Sequence, residues 1–180
     1  KKIKNGVIPE GWEKPENKSK LAQKDIDADW TKKNGERHFG YKDHVKCDAD
    51  SKLITNYSVT SASVHDSQRC LVFIGQEDEV LYADSAYSGK PIALALPENC
   101  KNQICEKGYR NSPLTSEQKM NNRRKSRIRC RIEQIFGFMT GAMHGITIRS
   151  IGITRAWMNI GITNLVYNFC RYSYLKRASA

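Results

Sequence analysis

A chain of 180 residues is about one domain's worth. Its 30 Lys plus Arg against 19 Asp plus Glu give a net charge of +11, which makes a polyanion the first expected partner, nucleic acid ahead of anionic membrane. No secretory signal opens the chain, and its most apolar late stretch, 160–169, is interrupted by Asn164 and Asn168 and is too short and polar to span a bilayer. A soluble, cytoplasmic protein is therefore expected. The six cysteines, Cys47, Cys70, Cys100, Cys105, Cys130 and Cys170, are scattered without a CxxC pair. That argues against a zinc ribbon or a disulfide framework and leaves reduced, mostly buried filler. The chain opens on Lys1 and not on Met, as expected of a fragment or a processed product.

In chain order, residues 1–24 are polar, broken by Gly6, Pro9, Gly11 and Pro15, with Trp12 and Leu21 as anchors, and read as a loop or extended arm. From His38 to Asp48, Phe39, Tyr41, Asp43, Val45 and Cys47 alternate against Gly40, Lys42, His44 and Lys46. A second β-rich run, Leu53 to Val59, follows Asp50-Ser51, so a hairpin is expected. Asp66 or Ser63 is placed to cap a short helix running to about Ile74. Glu79 to Asp84 reads as a buried strand ending in an acid, Gly89 to Leu96 as a helix stopped by Pro97, and Gln103 to Cys105 as a last short strand. Ser116 to Met139 reads as one helix, with Ile128, Ile132, Ile135, Phe136 and Met139 on one face and Arg and Lys crowding the others. Gly141 and Gly145 break it. Met158, Ile162, Leu165, Val166, Phe169 and Tyr172 then share one stripe of a final helix.

Strands first, then alternating helix and strand, then a long basic helix is a mixed α/β order in which an acid at a strand end meets an acid on a helix. Asp84 and Glu133 are that pair. Carboxylates delivered from distant elements are what a two-metal phosphodiester displacement needs, with hard-oxygen ligands and ions about 4 Å apart. The bland readings are a helix cap for Asp84 and an ion-pair partner for Glu133.

The wording around these acids adds a resemblance. The series Asp27-Ala28-Asp29-Trp30-Thr31-Lys32-Lys33, His38-Phe39-Gly40-Tyr41-Lys42-Asp43-His44, Val59-Thr60-Ser61-Ala62-Ser63-Val64-His65-Asp66-Ser67, Tyr82-Ala83-Asp84-Ser85-Ala86-Tyr87 and Arg129-Cys130-Arg131-Ile132-Glu133-Gln134-Ile135-Phe136-Gly137, with a terminal Asn164-Leu165 block, resembles the DDE transposases of the insertion-sequence four and five superfamily. The resemblance spans most of the chain beyond Lys24. It implies an α/β, RNase H-like mixed sheet flanked by helices over residues 25–180, with residues 1–24 as an arm or linker. It also implies two Mg²⁺ or Mn²⁺ ions held by three acids, of which Asp84 is the second and Glu133 the third, with Arg129 orienting Glu133. The implied activity is nicking at transposon ends and strand transfer into double-stranded target DNA, by a homodimer during the reaction. The first acid of the family lies in an Asp-Ala-Thr-like block on the opening strand, and that block is not found here. The expectation is therefore an amino-terminally truncated domain lacking its first strand, with a catalytically inactive DNA-binding remnant as the alternative. Asp25, Asp27 and Asp29 stand in the wording of a later block and are not promoted to the role. The wider signature also places Tyr before the Arg and Lys after the Glu, where this chain has Ser126 and Thr140.

Several further features have two readings each. Lys119, Arg123, Arg124, Lys125, Arg127, Arg129 and Arg131 form either a phosphate-binding face or a solvated one, and almost no acid offsets them before Glu133. Lys32, Lys33, Arg37, Lys42, His44 and Lys46 form a second basic cluster, which strand alternation divides between two faces. Of these, Lys42 and His44 are the candidates for DNA contact. His65-Asp66 is similar to the metal pair of HD-type phosphohydrolases, but that site needs more His ligands than His38, His44 and His144 supply, and capping by Asp66 is the competing role. Tyr87 either touches the DNA backbone near Asp84 or packs its ring. A P-loop and a GxSxG elbow are both missing.

Overall fold

The alternating run after residue 35 does form a strand, and its alternation decides what lies on each side. The structure is a computed structural model that describes residues 7, 9–33 and 35–179. Residues 1–6 and Ile8 of the expected arm, and the side chain of Leu21, lie outside the described residues. Strand β2 (Glu36–Cys47) pairs antiparallel with β1 (Asp29–Lys33) along its first half and with β3 (Ile54–Ser61) along its second, so β2 is central in a three-stranded sheet. Val45 and Cys47 join a core of Ile54, Ile135, Met139 and Tyr167 on one face. Lys42, His44 and Lys46 lie on the other. The β2–β3 turn is held by Asp48, whose Oδ1 accepts from Ser51 N at 2.6 Å and from Asp50 N at 3.2 Å, the self-bonding that suits Asp to turns.

A second sheet is minimal: β4 (Val80–Leu81) and β5 (Lys101–Asn102) run parallel. It rests on a second cluster of Cys70, Ala83, Ile92 and Ile104. Three short helices, α1 (Lys18–Ala22), α2 (Ser67–Phe73) and α3 (Lys90–Ala95), precede α4 (Ser116–Arg129), α5 (Arg131–Gly141) and α6 (Ile153–Ala178). Thr115 and Gln118 close a reciprocal capping box at the start of α4. The chain is thus mixed α/β, as expected.

Helix α6 is fastened to the hairpin where the β2–β3 register slips, between Lys46 and Cys47. There Asn168 acts as a substitute strand partner, with Oδ1 accepting from Ile54 N and Nδ2 donating to Ile54 O, both at 2.8 Å. The Tyr167 hydroxyl donates to Lys52 O at 2.9 Å. At the other end, Gly152 N and Ile153 N donate to Asp25 and Asp27, so acids meet the positive end of the helix.

Five expectations need correction. Part of the arm is helical, a 3₁₀ turn at Pro15–Asn17 running into α1. The acid-ended strand shrinks to two residues, and its partner lies at 101–102 and not at 103–105. The single helix from Ser116 to Met139 is two, divided at Cys130. Of the cysteines, all free, only Cys70 and Cys105 are buried. The stripe read on the last helix is exposed, while the buried face is Ala156, Ile160, Asn164 and Tyr167, chosen by small and amide side chains that let the helix sit close on the sheet. No helix among the described residues is long and apolar enough to cross a membrane.

Candidate functional site

Ala83, buried, ends the β4 run and delivers Asp84 to the surface. There its Oδ1 accepts from Ser85 N at 2.5 Å and caps the 3₁₀ turn Ser85–Tyr87. The capping reading of Asp84 is therefore realised in the geometry, and it occupies only one of the two carboxylate oxygens. Tyr87, at the end of that turn, packs its ring against the second core cluster. Its hydroxyl is pushed up to about 12, first by desolvation and then by the charges of Asp66, Cys70 and Asp84, with Arg129 opposing.

Arg129 closes α4, and its guanidinium donates to Glu133 Oε1 at 2.8 Å across the break at Cys130. Glu133 sits in the first turn of α5, where a carboxylate is favoured by the helix dipole, with its side chain 59% exposed. The pair engages Oε1 of Glu133 and not Oε2. Asp84 and Glu133 are thus both exposed, and each has one engaged oxygen. Among the described residues no three His, Cys, Asp or Glu side chains come together as a metal-holding group.

The early acids are occupied elsewhere. Asp25 accepts from the Tyr41 hydroxyl, from the amides of Asp27, Ala28 and Gly152, and although desolvation pushes its carboxyl up, these bonds together hold it below the usual range. Asp27 caps α6 through Ile153 N at 3.0 Å.

The basic helix separates into two classes. Arg123, Arg124 and Arg127 are exposed, as is Lys119. Lys125 donates to Ile104 O at 3.0 Å, Arg129 is paired with Glu133, and Arg131 donates to Ala49 O and to Asp50 at 3.2 Å. Sequence alone ranks these cations together; contacts made across the fold divide them. A cleft between α4 and the β4–β5 sheet, lined by Tyr82, Gln103, Asn121, Arg124, Lys125 and Ile128, opens beside the exposed arginines.

The second basic cluster divides: Lys32, Lys33 and Arg37 are exposed, while Lys42, His44 and Lys46 turn inward at the sheet. Lys42 donates to Val64 O at 2.8 Å and lies 3.4 Å from Asp66. His44 is 7% exposed, with Nε2 2.7 Å from Thr60 Oγ1 and Nδ1 3.5 Å from Asp66. Desolvation lowers its pKa against the pull of Asp66 and so favours the neutral ring. Both ring nitrogens already face protein partners. Asp66 stands at the N-cap position of α2 without making a side-chain cap, because its carboxylate faces Lys42 and His44. That grouping was missed in the sequence, since nothing in the spacing of residues 42, 44 and 66 brings them together.

A family model described as the transposase DDE domain matches residues 11–169. The transposase for insertion sequence element IS1106 of Neisseria meningitidis serogroup B is 34% identical over 117 residues, which cover 63% of this chain and 40% of that relative. The matched stretch is thus well under two thirds of the relative's length. No solved structure matches the chain.

Proposed function

The chain belongs to the transposase DDE domain family, and from that premise we propose that it carries part of the catalytic site of an insertion-sequence transposase, acting on double-stranded DNA in the cytoplasm. The strand order, an antiparallel set followed by a parallel pair, supports an RNase H-like arrangement over residues 25–180. The observation that carries the reading is the pair of exposed carboxylates Asp84 and Glu133, each with one oxygen not engaged by a neighbour, together with the exposed Arg123, Arg124 and Arg127 on the helix that ends at Arg129.

The donor set fits a hard divalent cation such as Mg²⁺ or Mn²⁺ in part: Asp84 and Glu133 are exposed carboxylates, each with one oxygen not engaged by a neighbour. When bound, such ions lower the pKa of water and neutralise charge at phosphorus. In this reading Arg129 fixes the rotamer of Glu133, and Tyr87 backs the loop that presents Asp84. Arg123, Arg124 and Arg127 hold the DNA backbone while a phosphodiester is cut at an element end and the freed 3′-hydroxyl joins target DNA. Bringing two ends together calls for two copies.

One observation favours a second reading, a chain that binds DNA without cutting it: no three metal-ligating side chains converge among the described residues. The deciding experiment is nicking of supercoiled DNA carrying the element ends, in Mg²⁺ or Mn²⁺, by a longer version of the chain that carries the family's first acid and by the Asp84→Ala and Glu133→Ala variants of that version. The expected result is nicking that falls by at least about 100-fold in both variants. Nicking that survives either substitution sinks the acid assignment, and salt-sensitive binding with no nicking at all establishes the second reading.

A further inference from the structure

The final helix has two apolar faces, and the fold uses only one. Ala156, Ile160, Asn164 and Tyr167 are buried. On the opposite side Met158, Ile162, Leu165, Phe169 and Tyr172 follow one another at intervals of four, three, four and three, and are 65%, 59%, 52%, 62% and 57% exposed. From residue 156 to residue 170 there is no Asp, Glu, Lys or Arg, in a chain that is 27% charged. A solvated stretch of that length and composition would hold about four.

The absence of charge decides what kind of partner fits. A phosphate backbone or an acidic peptide finds no cation within the stripe, and Arg171, at its end, is already committed to Ser51 O at 2.7 Å and to the Tyr174 ring. A four-three repeat is the spacing with which one helix interlocks with another of the same kind, because it holds the seam on one side of both. The area is adequate as well. Five large side chains left more than half exposed present roughly 100 Å² each, and Trp157 and Val166 flank them. That approaches the roughly 800 Å² per partner of a stable interface.

We propose that two copies of this chain pair through the Met158–Tyr172 stripe of α6, with Leu165, the middle residue of the five, beside the twofold axis. The proposal deepens the two-copy element of the function above by naming its surface. Its test contains no DNA, so its failure and the failure of the nicking assignment are distinguishable.

The test is sedimentation velocity of the full chain across a concentration series, alone and with Leu165→Glu, and with helix content followed by circular dichroism. The expected result is a dimer whose dissociation constant rises by about 30-fold or more in the variant, at unchanged helix content, because two carboxylates then face each other across the axis. In a second measurement Leu165→Cys is oxidised and the crosslink located by peptide mass; a disulfide joining position 165 of both copies is expected. A chain that stays monomeric at every concentration overturns the proposal. So does a dimer that Leu165→Glu leaves intact, or a Leu165→Cys dimer with no crosslink at 165, since the stripe then serves some other occupant.

Discussion

Asp43 and Asn164 join β2 to α6 in the least satisfied contact of the described residues. Asn164 Nδ2 donates to Asp43 Oδ1 at 3.3 Å, while Asp43 Oδ2 and Asn164 Oδ1 are buried acceptors with no donor. A proton on Asp43 supplies the missing donor and lets acid and amide bond reciprocally. Burial pushes the Asp43 carboxyl up to about 6, with the Asn164 bond opposing. The ionisable groups lining the adjoining pocket are Asp25 and Tyr41, and Asp25 adds no cation that would stabilise the charge. Because the folded state holds this proton more tightly than the unfolded chain does, the stabilisation is complete below about pH 4 and is lost as pH rises through about 6. Asp43→Asn supplies a permanent donor of the same shape. Urea unfolding from pH 4 to 7.5 is expected to show the variant gaining on the parent by on the order of 1–3 kcal/mol at the upper end, with no gain at pH 4. An equal gain at both ends would remove the proton from the account. The sequence showed Asp43 only as one beat of an alternating strand; its partner lies 121 positions away, and no local spacing encodes that.

At the scale of elements, α4 gives the clearest division of labour. Exposed Arg123, Arg124 and Arg127 are available to phosphates, while Lys125 on the same helix holds Ile104 O, as Arg131 at the start of α5 holds Ala49 O. Changing the three exposed arginines together to Gln is expected to flatten the plot of log affinity for duplex DNA against log salt by about 2–3, at unchanged stability. Lys125→Gln is expected instead to lower the unfolding midpoint, because Ile104 O and Glu106 lose their partner, and to leave the slope nearly unaltered. Fluorescence anisotropy across a salt series, with thermal melts of the same samples, separates the two outcomes. The hairpin and the last helix were legible because period-two and helical patterns run long there. Strand β4 was overdrawn and β5 misplaced by about two residues, because strands of two residues carry almost no pattern. Strand β1 was hidden in polar residues, 29–33, whose pairing comes from β2 and not from their own propensity.

Among the described residues two cores share no buried member, one built of Ile54, Ile135, Met139 and Tyr167 and the other of the smaller side chains Cys70, Ala83, Ile92 and Ile104. The smaller core supports the shorter sheet and is expected to open first. Amide exchange at Gln103 and Cys105, whose bonds run to Leu81 and Ala83, is therefore expected to outpace exchange at Val59 in β3; equal protection would mean one cooperative unit. The class of fold was legible in the order of strands and helices, and the candidate acids in the wording around them, but their sharing of two cores was not.

The break at Cys130 falls between these cores. Helix α4 is docked on the β5 side through Asn122 and Lys125, and α5 sends Ile135 and Met139 into the other core. Arg129 and Glu133 stand on opposite sides of that joint, and their ion pair spans it like a strut. In the proposed site, a twist at this joint is a displacement of Glu133 relative to Asp84, because Asp84 follows β4 on the side where α4 is docked and Glu133 rides on α5.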